Sequence, residues 1–370
     1  MEFVKSGAAA IQYLIDESCR EGKRAITITG CWEIEKTIRI PSDFSLTLQD
    51  CHLRMADNTF CNMFVNEHCG TELGRTREGC DRNITITGLG HVILDGGEYN
   101  GLGERNAGRD GRPPIWVNNL LLFTNVEGFA ISNLQVRNQR WWALNFIGCS
   151  HGRILNIDVL ADCSWVDDSG GLRRGYFAHD PATGEETGFN YEKIRIKNAD
   201  GIDLRSGCHD IFIENITGFS EDDTVALTGL KGVLEENFCV PGENQDIYNV
   251  IIRNVMAAAY CANVRLLNQS GICLYNILVD GVFDASKGCA FMDRGGSGVR
   301  LGDNHMYGTR HATADETYNI TIRNVHSRAG AALRLAGAMS SCCFENICTF
   351  DERTERIENH ASVDISSFLR

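Results

Sequence analysis

A phrase with the pattern apolar–x–apolar–x–Asn–apolar recurs along the chain and limits the folds open to it. Clear copies are FAISNL (129–134), IFIENI (211–216), VIIRNV (250–255) and ITIRNV (320–325). Looser copies are ITITGL (84–89), RILNI (153–157), ILVDGV (277–282) and CCFENI (342–347). Alternation with period two indicates strands. Two pairs of copies are 23 and 22 residues apart, from Asn133 to Asn156 and from Asn324 to Asn346. Repeats of this length, built from strands and turns, are typical of parallel β-solenoids.

A second short apolar stretch follows several copies of the phrase. These stretches are WALNF (142–146), TVAL (224–227), NVRLL (263–267), CAFM (289–292) and ALRL (332–335). A single turn of such a coil cannot bury its apolar face, so successive turns must stack. The repeated Asn is predicted to turn the corner with left-handed backbone angles, and its side chains to form a hydrogen-bonded ladder. We therefore predict an all-β fold, a single-stranded right-handed parallel β-helix that forms one domain over residues 1–370.

The start of the chain and the interruptions of the repeat have patterns of their own. Residues 1–25 predict a short helix that caps the open end of the coil. The apolar residues at helical spacing in it are Ile11, Leu14, Ile15 and Cys19. The repeat is broken at 97–117, 161–190, 229–247 and 294–317. Loops on one face of a solenoid commonly build its binding cleft, and we expect 161–190 and 294–317 to do so.

The composition is that of a folded chain with an acidic surface. Of the 370 residues 43% are hydrophobic, and 49 Asp and Glu outweigh 35 Lys and Arg to give a net charge of −14. This charge disfavours nucleic acid and anionic membranes as partners, and no apolar run approaches a membrane span. The start lacks a secretion-signal pattern, which predicts a cytoplasmic location. The 16 cysteines lie mostly in apolar strands without zinc spacing, which predicts reduced thiols and no metal site.

Three aspartates lie beside short apolar strands between residues 198 and 227. Aligning ADGID (199–203) with DDTVA (222–226) places Asp200 in the column of Asp223, one turn away, with Asp222 one residue earlier. Neighbouring parallel strands are about 4.8 Å apart, so the three carboxylates should crowd one spot. Like charges so close raise at least one pKa, which provides a proton donor and a proton acceptor near neutral pH. Glycosidic cleavage needs that division of roles.

The sequence NADGID (198–203), followed by EDDTVAL (221–227), resembles the polygalacturonase family of glycoside hydrolases, in the pectin-active parallel β-helix superfamily. The family pattern is NTDGID and then, one turn later, GDDCIAI. The resemblance implies that Asp222 is the general acid and that Asp200 and Asp223 hold and deprotonate the attacking water. It implies that Asn198 positions these groups. It also implies inversion of configuration, which fits carboxyl groups far enough apart to admit a water.

The chain departs from the family pattern at several positions. Ala199 replaces the family's Thr, and Glu221 replaces the Gly before the doublet. On the next turn, Tyr260 or Cys261 stands where the family has His. The family's Arg-x-Lys, which grips the substrate carboxylate, is missing from the corresponding stretch CAFMDRGG (289–296). Without that Lys and His, a neutral sugar is as good a candidate substrate as a uronide.

Several other side chains are candidates for binding the substrate. The predicted substrate-binding residues are Asn198, Asp203, Arg265, Arg294, Trp142 and His305. Arg265 falls in the column of Asp203, so it either replaces a missing family cation, as Arg294 also can, or pairs with a nearby Asp. Trp142 lies on the strip of the acids and is predicted to stack on a sugar face. His305 lies in the predicted cleft loop 294–317.

These features predict a glycoside hydrolase that cleaves an oligosaccharide by single displacement, is exo-acting and needs no cofactor. Two alternatives stay open. One is another carbohydrate-active β-helix enzyme, such as a polysaccharide lyase or an enzyme that cleaves fructans or cyclic disaccharides. The other is a non-catalytic carbohydrate-binding solenoid, which the missing His favours. Strand edges at the C-terminal stretch SVDISSFLR (362–370) leave room for a covering partner, which would make the chain a homo-oligomer.

Overall fold

The described residues form two parallel sheets of ten strands each, and the strands of the coil alternate between the two sheets along the sequence. The computed structural model describes residues 2–97, 100, 115–139, 141–161, 164–166, 172–174, 200–269, 271–289, 292–302 and 310–370. Sheet A consists of β1 (Ala25–Ile34), β3 (Ser45–Met55), β5 (Asp81–Asp95), β7 (Val126–Arg137), β9 (Ser150–Leu160), β13 (His209–Ser220), β15 (Ile247–Ala259), β17 (Leu274–Asp284), β19 (Thr317–Ser327) and β21 (Cys343–Thr349). Sheet B consists of β2 (Ile38–Ile40), β4 (Phe64–Asn66), β6 (Leu121–Thr124), β8 (Leu144–Ile147), β12 (Ile202–Arg205), β14 (Val225–Gly229), β16 (Ala262–Asn268), β18 (Ser297–Leu301), β20 (Ala331–Gly337) and β22 (Glu355–Ala361).

Each turn of the coil adds one strand to sheet A and one to sheet B, and each strand pairs in parallel with its counterpart on the next turn. The four clear copies of the Asn phrase lie in β7, β13, β15 and β19. The antiparallel pair β10 (Ser164–Val166) and β11 (Leu172–Arg174) falls within the predicted cleft loop 161–190, most of which lies outside the described residues. The predicted fold class, a parallel β-helix with a short N-terminal helix, is confirmed.

The repeated Asn turns the corner inside the sheet A strands, as predicted. Asn133, Asn156 and Asn215 have φ of 59°, 56° and 60°, a left-handed conformation that Asn tolerates better than most residues. Their side chains form the predicted ladder: Nδ2 of Asn156 donates to Oδ1 of Asn133 at 2.7 Å, and Asn215 donates to Asn156 at 2.9 Å. Asn254 continues it at 3.2 Å. Each bond joins neighbouring turns, so the ladder fixes which residues stack in one column.

The core lies between the inner faces of the two sheets. Ile213 and Ile252 of sheet A, and Leu227 and Leu266 of sheet B, have no exposed surface. Side chains alternate between the two faces of a strand, so every second residue of these strands points into the core as these four do. The intervening residues of sheet B face outward, and there the candidate site is built.

One predicted strand of sheet B is wrong. The sequence pattern placed it at CAFM (289–292), whereas β18 spans Ser297–Leu301 and pairs with β16 and β20. SGVRL takes this place because Val299 and Leu301 alternate into the core and are fully buried. The predicted cleft loop 294–317 therefore contains a strand of the coil, and its residues 303–309 lie outside the described part.

Segments of the chain itself pack against both ends of the coil. Helix α1 (Gly7–Arg20) buries Ile11 and Ile15 completely against the first turn, while Leu14, at 42% exposure, faces outward. At the other end Ile365 is buried, and the amide of Arg370 donates to the carbonyl of Phe344 at 3.0 Å. The C-terminal stretch thus packs against β21 of the last turn, whereas β22 has no buried residue. Among the described helices, none has the length and apolar character needed to cross a membrane.

Candidate functional site

Asp200, Asp222 and Asp223 lie just before neighbouring strands of sheet B. Asp200 precedes β12, and the doublet precedes β14 on the next turn. The amide of Gly201 donates to the carbonyl of Asp223 at 3.0 Å, which places Asp200 directly beside Asp223. One carboxylate oxygen of each aspartate lies within 4.8 Å of the other two. The column expected from aligning the two motifs is therefore present in the fold.

A fourth carboxylate, Asp203, joins them, and we call Asp200, Asp203, Asp222 and Asp223 the acid cluster. Asp203 points outward from β12 because its neighbours Ile202 and Leu204 point into the core, yet it has no exposed surface. Asp200 and Asp223 are 8% and 7% exposed, whereas Asp222 is half-buried. The amide of Asp223 donates to Oδ1 of Asp200 at 3.0 Å. Asp222 is thus the member of the acid cluster most open to solvent, whereas the other three are buried.

Burial and mutual repulsion raise pKa values in the acid cluster. Burial and, after it, the charge of Asp222 raise the pKa of Asp200 to about 7. Burial, followed by the charge of Asp200, raises the pKa of Asp203 well above its usual range. Burial, followed by the charges of Asp222 and Asp200, does the same for Asp223. The acid cluster therefore keeps at least one proton near neutral pH and shares it among its members, so it can both donate and accept protons.

Two arginines face the acid cluster from the following turns. One outward column of sheet B reads Asp203, Ala226, Arg265 and Arg300. The charges of Arg265 and Arg300 lower the pKa of Asp223 and so partly oppose its burial. Sequence reasoning placed Arg265 in this column but missed Arg300. The signal was present, because GVRL (298–301) repeats NVRLL (263–267).

Arg294 is directed at later turns. Its Nη2 donates to the carbonyl of Ala329 at 2.9 Å and to Oγ1 of Thr354 at 3.2 Å, and it also contacts the carbonyl of Arg353. The structure therefore does not bring the Arg294 guanidinium to the acids. The remaining predicted binding residues, Asn198 and His305, lie outside the described part of the chain.

Trp142 lies one turn from Asp200, since the amide of Ala143 donates to the carbonyl of Asp200 at 3.0 Å. The indole is 8% exposed and packs with Trp141 in an apolar cluster outside sheet B. The guanidinium of Arg205 covers its ring, 4.1 Å from the ring centroid. One face of the Trp142 ring is thus covered by this guanidinium, and the indole has little exposed surface left for the sugar stacking that was predicted.

Cys261 stands beside Asp222 on the next turn. Its backbone amide donates to the carbonyl of Asp222 at 3.1 Å, and its thiol contacts the Asp222 carboxylate. Burial, followed by the charge of Asp222, raises the pKa of this thiol. The protonated thiol is thus a weak donor at the place where Tyr260 or Cys261 was expected to replace the family's His.

Two groups of described side chains have ligand atoms close enough to hold a cation. One is Asp200, Asp222 and Asp223, whose carboxylate oxygens suit hard cations. The other is Glu67, His68 and Asp81. In the second group Asp81 already accepts hydrogen bonds from Nδ2 of Asn66 at 2.7 Å and from Nδ1 of His68 at 2.8 Å, which marks it as a structural corner.

A cavity of about 420 Å³ lies elsewhere, at the opposite ends of the sheet B strands. Its lining includes Gly148, Gly207 and His209, and it also contains two carboxylates. One of them, Glu127, pairs with Arg82 at 3.3 Å, and the other, Glu243, pairs with Arg77. Because both carboxylates are already neutralised, this cavity offers a poorer acid–base site than the acid cluster does.

No protein-family model matches the chain, and no curated protein matches it. Solved structures do match. A polygalacturonase from Erwinia carotovora ssp. carotovora gives a TM-score of 0.54 at 13% identity, covering 98% of this chain and 96% of that one. The A-module of a mannuronan C-5 epimerase from Azotobacter vinelandii gives 0.56 at 13% identity, covering 95% and 74%. A tailspike protein of E. coli bacteriophage HK620, in complex with a pentasaccharide, gives 0.56 at 12% identity, covering 96% and 60%.

Identities this low establish a common fold and leave activity open. The matches cover nearly all of this chain, so the likeness extends over the whole coil and not over one motif. The chain therefore has the parallel β-helix fold that the polygalacturonase, the epimerase and the tailspike share.

Proposed function

We propose that this protein is a glycoside hydrolase that cleaves an oligosaccharide with inversion of configuration. Asp222, the member of the acid cluster most open to solvent, is the general acid: in the reactive form it carries the proton that the acid cluster shares and passes it to the leaving oxygen, while Asp200 and Asp223 are ionised. Asp200 and Asp223 hold the attacking water and take its proton as the new carbon–oxygen bond forms. The observation that carries the proposal is the meeting of these three carboxylates within 4.8 Å, at the two motifs that resemble the polygalacturonase pattern.

The stereochemical course rests on the resemblance and not on the spacing. Inverting pairs of carboxyl groups are usually about 6.5–9.5 Å apart, and retaining pairs about 5–5.5 Å. In this protein one oxygen of each carboxylate lies within 4.8 Å of the other two, and this closest approach does not by itself distinguish the two courses. In the proposed arrangement the attacking water sits beside the doublet, between Asp200 and Asp223. Identifying the anomer that the reaction first releases decides between inversion and retention of configuration.

We propose a short oligosaccharide as substrate and an exo mode of attack. The net charge of −14 disfavours a long polyanion, whereas Arg265 and Arg300 place two positive charges near Asp223. These arginines suit either the hydroxyl groups of a neutral sugar or the carboxylate of a single uronate. No cofactor enters this chemistry, because the carboxylates supply both proton transfers.

A screen of short neutral and uronate oligosaccharides tests the proposal, with reducing ends and product anomers read by NMR. Asp222→Asn should abolish turnover but keep binding, because the amide preserves shape and cannot donate the acid proton. Asp16→Asn, an exposed aspartate on α1, is the matched control and should behave as the wild type. Full turnover by Asp222→Asn, or a product with retained configuration, would refute the assigned roles.

A polysaccharide lyase is the second candidate, and one observation favours it. A lyase needs a base close to a cation that neutralises a uronate, and Arg265 and Arg300 lie close enough to Asp223 to lower its pKa. A lyase product carries a double bond and absorbs in the ultraviolet, whereas a hydrolase product does not. Saccharide binding without turnover by either route would instead identify a non-catalytic carbohydrate-binding solenoid.

A further inference from the structure

Arg205 is a buried cation enclosed on three sides. It ends β12, is 7% exposed, and stacks on the ring of Trp142 at 4.1 Å. Its Nη1 donates to Oε1 of Glu235 at 3.0 Å, and its Nη2 lies 3.7 Å from Oδ1 of Asp203. A guanidinium with so little contact to water persists only where charges and an aromatic face replace its hydration. Arg205 thus lies between an aromatic ring and two carboxylates.

The partner of Arg205 comes from a segment that sheet B does not include. Glu235 belongs to the short helix α2 (Val233–Phe238), is buried, and accepts a bond from the amide of Gly232 at 3.1 Å through Oε2. The approach to α2 is fastened to the turn after β12. Ser206 Oγ donates to the carbonyl of Leu230 at 2.6 Å and accepts from its amide at 3.1 Å. The position of Glu235 is therefore fixed by backbone contacts.

The apolar face of α2 adds a second attachment. Leu234 and Phe238 are buried in the cluster that contains Trp141 and Trp142. Helix α2 thus packs against the aromatic pair and places Glu235 against Arg205 on one side. Strand β12 carries Arg205 on the other side. The network leads on to the chemistry, because the Asp203 carboxyl lies close enough to that of Asp200, three residues earlier, for the charge of Asp200 to raise its pKa.

We propose that Arg205 is a positioning residue of the acid cluster. Glu235 and Trp142 hold the Arg205 guanidinium in place, so that Arg205 fixes Asp203 and, through Asp203, the carboxyl of Asp200. The inference rests on the proposed function, in which Asp200 holds the attacking water. It makes α2 a working part of the site although its residues have no direct role in the proposed reaction. Displacing a catalytic group by about 1 Å can cost about 100-fold in rate, so small movements of Arg205 matter.

Arg205→Lys is the main test, because lysine keeps the charge but loses the planar fork that reaches two carboxylates. We expect kcat to fall by about 10- to 100-fold with KM nearly unchanged, since the lost interaction acts on the reacting groups and not on the bound sugar. Glu235→Gln should lower kcat in the same way by a smaller factor. Methylguanidinium should restore part of the activity of Arg205→Ala. The matched control is Arg334→Lys, which disrupts a more exposed Arg–Glu ion pair, 2.8 Å long, between Arg334 in β20 and Glu358 in β22.

A second readout does not depend on turnover. With 13C-labelled aspartate, the carboxyl signals assigned to Asp203 and Asp200 should move in Arg205→Lys and in Glu235→Gln, and should stay in place in Arg334→Lys. If no sugar is cleaved by the wild type, the proposed function fails, and these signals alone decide on the network. Unmoved signals, an unchanged kcat, or a raised KM at constant kcat would each overturn the positioning role. If Arg205→Lys does not fold, the same criteria apply to Glu235→Gln.

Discussion

Asp222→Asn is expected to make the protein more stable while it abolishes turnover. The substitution keeps the shape of the side chain and removes one negative charge within 4.8 Å of Asp200 and Asp223. Two unit charges at that distance repel each other by about 3 kcal/mol at an effective dielectric constant of about 20. Asp200, whose pKa is raised to about 7, is only partly ionised near neutral pH, so the relief should amount to about 1–3 kcal/mol of unfolding free energy.

The sign of this effect depends on pH. Burial and the charge of Asp222 raise the pKa of Asp200 from its usual 3.8 to about 7, so between these values the folded state binds more protons than the unfolded chain. Folding stability therefore falls as pH rises through this range. At pH 5 Asp200 is protonated in the folded wild type, so the substitution has little repulsion to relieve. At pH 8 the wild type holds the repelling charges, and the variant gains the full amount.

Guanidinium denaturation at pH 5 and pH 8 measures this difference, with Asp16→Asn as the surface control. Loss of a general acid typically lowers the rate by about 100- to 10,000-fold, and the oligosaccharide screen measures that. An equal gain in stability at both pH values would show that repulsion with Asp200 is not the cause. Lower stability than the wild type at pH 8 would contradict the cluster geometry itself.

Three further substitutions test other parts of the structure by guanidinium denaturation. Arg265→Leu removes a charge that lowers the pKa of Asp223, so stability should fall by about 1–3 kcal/mol at pH 8 and less at pH 5; a loss independent of pH would contradict this coupling. Ile15→Ala should cost about 2–5 kcal/mol and speed hydrogen exchange in β1, unless α1 leaves the first turn uncovered in solution. Asn215→Ala breaks two ladder bonds at a φ of 60° and should cost about 1–3 kcal/mol, whereas an unchanged midpoint would mean that the ladder adds nothing.

The sequence was sufficient for the coil and for the column of acids because both depend on local spacing. A strand alternates with period two, and Asn133 or Asn215 marks the same corner on each turn. Counting residues between equivalent corners therefore predicts which side chains stack. The same counting placed Asp200 beside Asp223 without any knowledge of tertiary contacts.

The rest depended on contacts that local spacing does not determine. Two apolar stretches in 289–301, CAFM and SGVRL, were candidates for one strand of sheet B. Because CAFM was chosen, Arg300 was left out of the predicted site. Arg294 precedes β18, and its long side chain reaches forward to Ala329 instead of back to the acids. The ion pair of Arg205 and Glu235 joins residues 30 positions apart. Glu235 lies on a helix whose position no sequence repeat specifies.

Stacking also explains how the chain accommodates four carboxylates in one place. In a solenoid each turn contacts only its neighbours, so the repulsion is confined to the turns that carry β12 and β14. Compensation comes from the same short stretch: Arg205 lies 3.7 Å from Asp203, and Arg265 and Arg300 lower the pKa of Asp223 from the next two turns. The ladder and the core continue unchanged on either side of these turns. The acid cluster can therefore keep its raised pKa values, which the proposed chemistry needs, because the distant turns supply stability without taking part in it.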